Sequence, residues 1–145
     1  MKKRYYSISM SLTVEIHSFS YKKGGIPKDD SGNGGGFTFD CRGILNPGRI
    51  DEYKQQTGCD IGVQEYLEEN TVMPKFLDLI KNLVSINIDN YLARDFEHLQ
   101  INFGCTGGQH RSVYSAEKIA QFIREKYPQV TVKLNHDEQP QLNYK

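Results

Sequence analysis

The chain reads as an α/β domain: a mixed, mostly parallel sheet, flanking helices, and a strand–loop–helix turn suited to binding an anion. Three observations predict that class. Stretches in which apolar residues alternate are separated by stretches of helical spacing. The segment from His98 to Leu134 runs strand–loop–helix–strand, a crossover that favours a right-handed parallel pair. The 145 residues suit one domain, 1–145, with a core over about 9–134 and a polar tail over 135–145.

Each element has its own signal. Leu12, Val14 and Ile16 alternate with Ser11, Thr13, Glu15 and His17, the period of a half-buried strand. Ser18 to Gly36 holds six glycines, Pro27 and the run GNGGG, so it predicts a long loop. FTFDC at 37–41 predicts a second short strand, which leaves through the turn-rich RGILNPGR. Asp60 is placed to cap a short helix through IGVQEYLEEN, with Val63, Tyr66 and Leu67 on one face. Thr71 opens a longer helix with Pro74 in its first turn, where a missing N–H costs nothing. Phe76, Leu77, Ile80, Leu83, Val84 and Ile88 carry that helix toward Arg94. Leu99, Ile101 and Phe103 alternate with His98, Gln100 and Asn102 as a third strand. A third helix begins near Ser112, buries Val113, Ala116, Ile119, Ala120 and Ile123, and stops at Pro128. Val130, Val132 and Leu134 form a last strand before the tail NHDEQPQLNYK.

Composition narrows the class of partner. Eighteen basic and eighteen acidic side chains cancel to zero, which argues against a generally basic protein that coats nucleic acid. Cys41, Cys59 and Cys105 are odd in number and form no CxxC pair. Without a secretory signal at the start, they predict reduced thiols and a cytoplasmic location. No window approaches a membrane span, and no cofactor motif is found. His17, His98 and His136 have no metal-site spacing, so no metal is expected.

The richest segment is GCTGGQHRS, between the third strand and the third helix. Ligands in α/β folds bind outside the carboxyl ends of strands. A new helix there offers unpaired N–H groups and a partial positive charge. Gly107 and Gly108 allow close backbone approach, Thr106 and Ser112 add hydroxyls, His110 adds a switchable charge and Arg111 a permanent one. Together they predict a phosphate or similar anion. The segment fits neither a Walker A loop nor GxGxxG.

Two alternatives stay open at this stage. Cys105 and Arg111, followed by Ser112, also match the Cys-x5-Arg-Ser spacing of cysteine phosphatases, in which a thiolate attacks phosphorus. Gly104 stands where those enzymes usually carry histidine, and only Asp40 and Asp137 are candidates for the acid. Asp40 and Arg42, flanking Cys41, project to one side; they either overhang the same pocket, reading a ligand, or form a surface salt bridge. Tyr5-Tyr6 and Tyr21-Lys22-Lys23 are either base-stacking groups or a solvated edge.

HSFSYKKGGIP, FDCRGILNP, TG-D--V--YL and HLQINFGCTGGQHRSVYSAE, covering about residues 12 to 134, resemble the C-terminal domain of the RapZ family of RNase adapter proteins. The resemblance implies a fold similar to a phosphofructokinase subdomain, with a pocket for glucosamine-6-phosphate or a related sugar phosphate. By motif, that pocket would be lined by Asp40, Arg42, Cys105, Thr106, Gly107, Gly108, His110, Arg111 and Ser112. It also implies a homo-oligomer and an RNA partner, with Lys22 matching a lysine implicated in RNA contact. Full-length members carry an N-terminal nucleotide-binding domain, so the chain resembles a free-standing second domain. RNA-binding members end in a run of Lys and Arg; this chain ends in NHDEQPQLNYK, which weakens the RNA expectation.

Overall fold

A computed structural model describes residues 12–143; Tyr5-Tyr6 and the first residues of the expected core lie outside the described residues. Four strands, β1 (Thr13–Ser20), β2 (Gly36–Asp40), β3 (His98–Cys105) and β4 (Thr131–His136), form one sheet in the order β2-β3-β1-β4. Three helices accompany it: α1 (Ile61–Asn70), α2 (Met73–Ala93) and α3 (Arg111–Lys126).

Every strand pair is parallel, so the sheet is purely parallel rather than mixed. The reason lies in the 21–35 segment, which carries the chain from β1 past β3 to the far edge instead of folding back as a hairpin. β3 and β4 do not pair with each other either, because β1 lies between them.

The period-2 pattern sorts the two faces. Val14, Ile16, Leu99, Ile101 and Phe103 are fully buried in one cluster with Leu67, Val84, Ile119 and Ile123 of the helices. Burying each such side chain stabilises the fold by about 1.5–3 kcal/mol. The other face carries Glu15, His17, His98, Gln100 and Asn102, and the 21–35 segment covers part of it: Gln100 Nε2 donates to the Lys28 carbonyl at 3.4 Å. A parallel sheet needs cover on both faces, and here a glycine-rich loop serves where a helix would normally pack.

β1 extends to Ser20, beyond the expected loop start, because its backbone stays paired with β3 up to Cys105. β4 likewise runs past Leu134 to His136, pairing with Ser18, and the tail adds a 3-10 turn at Pro140–Asn143. The register brings the carboxyl ends of β1, β2 and β3 to one edge: Ser20 lies opposite Cys105, and Asp40 opposite Gly104.

Candidate functional site

β3 ends at Cys105 and α3 begins at Arg111, so residues 106–110 make the whole reversal. Gly108 adopts φ +68, a conformation that favours glycine. A Cβ there would also come within 2.9 Å of Glu138 and 3.2 Å of the Phe19 backbone. Gly107 faces open space, with nothing within 4 Å of where a Cβ would stand. At Gly104 a Cβ would run into the rings of Phe19 and Tyr21, which excludes histidine before Cys105.

Arg111 opens α3 yet is only 4% exposed. Its Nη1 donates to the carbonyls of Ile44 at 2.7 Å and Arg42 at 3.2 Å, while its Nε is buried without a partner. Among the described residues no carboxylate forms an ion pair with it. His110, at the N-cap position, makes no side-chain cap bond, so no cap competes for the helix's first N–H groups. Two pockets of about 220 and 300 Å³ meet here and share Asn46, Thr106 and Arg111.

The other expected residues divide by environment. Thr106 lines both pockets, and its carbonyl accepts from Ser20 Oγ at 2.6 Å. His110 lines one pocket, but its Nε2–H donates to the Tyr53 carbonyl at 2.9 Å and burial pushes its pKa down. It therefore stays neutral near pH 7, and the switchable charge expected of it is suppressed. Ser112 is fully buried and accepts from the Cys105 thiol at 3.1 Å, so its hydroxyl faces inward.

Asp40 and Arg42 project to one side, as the alternation requires, and they meet each other. Arg42 donates Nε to Oδ1 at 2.9 Å and Nη2 to Oδ2 at 2.7 Å, with both side chains about half exposed. That hydrogen-bonded pair holds the Asp40 carboxyl below its ordinary range. The Arg42 guanidinium also stacks on Tyr21 at 3.8 Å, so this ring face is not open to a base. Arg42 still lines the larger pocket beside Arg49 and Arg111. Lys22 is exposed in the turn after β1, its N–H donating to Ser20 Oγ at 3.1 Å.

Phosphoryl transfer to Cys105 has poor geometry. The thiol is 2% exposed, and an acid is needed on the leaving-group side. Asp40 is held ionised by Arg42, and Asp137 is bound by His17 at 2.8 Å and Asn135 at 2.7 Å. What remains is a concave site with a buried guanidinium and helix-end N–H groups, chemistry that holds an anion.

A family profile described as RapZ C-terminal domain matches residues 12–140. The chain belongs to this family. A nucleotide-binding protein of Endomicrobium trichonymphae is 38% identical over 125 residues, 86% of this chain and 41% of that relative. One from Dinoroseobacter shibae is 39% identical over 112 residues, 77% of this chain and 35% of the relative. A third, from Thermosipho africanus, is 36% identical over 121 residues, 83% and 41% of the two chains. The RapZ C-terminal domain seen here thus spans about two fifths of the length of these bacterial relatives. No helix among the described residues is long and apolar enough to cross a membrane.

Sequence reasoning missed three polar residues of this pocket. Asn46 and Lys54 line the smaller pocket and Arg49 the larger, all from the exit of β2 and the 3-10 turns behind it. Their signal was the NPGR turn and the polar stretch after it, which reads as a mere connection until Gln109 is seen gripping the 54–58 part. Gln109 Nε2 donates to the carbonyls of Lys54 at 2.8 Å and Gln56 at 2.7 Å, and the Gly58 N–H donates to the Gln109 carbonyl at 3.0 Å.

Proposed function

We propose that the chain is a non-enzymatic module that binds a phosphorylated small molecule, of the glucosamine-6-phosphate type, where β3 turns into α3. Arg111 carries this reading: a guanidinium 4% exposed, with no carboxylate paired to it among the described residues and one buried N–H unmet. A buried charge with no carboxylate in direct contact is costly, and a phosphate would supply both that contact and the missing acceptor. Asn46, Arg49 and Lys54 line the adjoining space and would contact the sugar or further phosphate oxygens. RNA binding through Lys22 has less support, since Arg42 occupies the Tyr21 ring and the tail carries Asp137 and Glu138.

Calorimetric titration tests the proposal with glucosamine-6-phosphate, unphosphorylated glucosamine, inorganic phosphate and a nucleoside monophosphate. The sugar phosphate is expected to bind, the unphosphorylated sugar not. Arg111→Ala is expected to weaken binding about 10- to 100-fold, the loss of one or two hydrogen bonds to a charged group. Because Arg111 also braces the 42–44 turn, Lys54→Ala serves as a second variant, and a several-fold loss is expected. Equal binding of both sugars, or no effect of either substitution, overturns the reading.

A further inference from the structure

We propose that Cys59, Glu117 and His136 form a site for a divalent transition-metal ion of the zinc class, with water in the fourth position. They come from three distant segments: the loop before α1, the second turn of α3, and the last residue of β4. One ligand atom from each lies within 4.8 Å of the other two. Tetrahedral zinc with bonds of about 2.0–2.3 Å sets its ligand atoms roughly 3.3–3.6 Å apart. Small side-chain rotations of Cys59 and Glu117, both only partly buried, would reach that spacing, with Glu117 backing away from His136.

His136 is the fixed member. It is 1% exposed, its backbone N–H donates to Asn143 Oδ1 at 2.7 Å, and its Nδ1 contacts Ser18 Oγ at 2.7 Å. That leaves Nε2 aimed at Glu117 Oε2, 2.7 Å away. A polar partner on the far ring nitrogen is what orients a metal-binding imidazole. On binding, the Cys59 thiol proton leaves to solvent. His136 binds as the neutral Nδ1–H tautomer, that N–H donating a hydrogen bond to Ser18 Oγ, and Nε2, the Cys59 thiolate and the Glu117 carboxylate each donate a lone pair to the ion. Mixed nitrogen, sulfur and oxygen donors select a borderline ion such as Zn²⁺ over Mg²⁺ or Ca²⁺. Glu117 also lines a pocket of about 490 Å³, and Cys59 is partly exposed, so two of the three ligands can be reached from solvent. The ion would fasten together α3, β4 and the loop whose Gly58 packs on the start of α3. It does not depend on the anion site.

The test is titration of the chelator-treated full chain with Co²⁺, followed by displacement with Zn²⁺. One ion per chain is expected, giving a thiolate-to-cobalt charge-transfer band in the near ultraviolet and the strong visible bands of tetrahedral cobalt. Cys59→Ala is expected to lose the charge-transfer band and the rise in Tm that zinc gives the parent chain. Ser18→Ala, which removes only the partner of Nδ1, is expected to weaken binding about 10- to 100-fold. Absence of the band at saturating cobalt, or a band and Tm rise unchanged in Cys59→Ala, overturns the proposal. Cys59 is partly exposed, so its removal leaves the core intact and the result readable even if the buried Ser18 variant fails to fold.

Discussion

The Arg111 guanidinium is bonded to two carbonyls and, among the described residues, to no carboxylate, and it lies beneath the surface. Its planar fork suits two phosphate oxygens, so Arg111→Lys, which keeps the charge but loses the fork, is expected to bind glucosamine-6-phosphate weaker than the parent and tighter than Arg111→Ala. Calorimetry of the three proteins checks that order; a lysine variant equal to the parent would mean that charge alone suffices. The thiols give a second prediction. Burial pushes the Cys41 pKa up to about 12, and Cys105 is 2% exposed, whereas Cys59 is partly open. Iodoacetamide at neutral pH is expected to modify Cys59 of the chelator-treated chain first, and peptide mass mapping that finds Cys41 alkylated as fast would contradict this packing. At this scale the sequence was half legible. The gathering of Thr106, Gly107 and Arg111 on one turn follows from adjacency, whereas Asp40 and Arg42 leave two readings open, ligand contact or a surface salt bridge. Residue types allow both; the fold shows the salt bridge formed, with Arg42 still lining the larger pocket.

The turn between β3 and α3 is an element whose glycines have unequal duties. Gly108→Ala forces a Cβ onto positive φ and against Glu138 and Phe19, and is expected to cost about 1–3 kcal/mol. Gly107→Ala meets nothing within 4 Å and is expected to stay within about 0.5 kcal/mol of the parent. Urea unfolding of both variants measures the contrast, and equal losses would refute it. On the polar face of β1, His17 places both ring nitrogens against carboxylates, Asp137 at 2.8 Å and Glu15 at 2.7 Å. Burial alone would lower its pKa, but these hydrogen bonds outweigh it and leave it raised. A raised folded pKa contributes stability that is fully present below the ordinary histidine value, about 6.5, and is lost as pH rises through the folded value. His17→Gln is therefore expected to cost more at pH 6 than at pH 8 in urea unfolding; a larger cost at pH 8 would reverse the assignment. Elements were the most legible level, because α2 and α3 carry unbroken apolar stripes. Their ends were less so: β4 reaches His136 only because Ser18 on β1 pairs with it, a contact that no local pattern announces.

For the molecule as a whole, α/β alternation predicted the class, and strand order decides which edge carries the candidate site. The order β2-β3-β1-β4 sets β2 beside β3, so the FDCR exit and the CTGGQHR turn face one another. That neighbourhood was conditional in the sequence, and the purely parallel sheet was not foreseen, because a glycine-rich loop gives no sign of which strand it will cross. The pocket residues Asn46, Arg49 and Lys54 were hidden for the same reason: long-range packing places them beside Arg111, with Gln109 bonded to the Lys54 carbonyl. On the proposed reading, this edge holds a phosphate against Arg111. A crystal structure of the full chain with glucosamine-6-phosphate tests it most directly. Phosphate oxygens about 3 Å from Arg111 Nε and from first-turn N–H groups of α3 are the predicted result; a phosphate seated elsewhere, with Arg111 Nε still unmet, would contradict it.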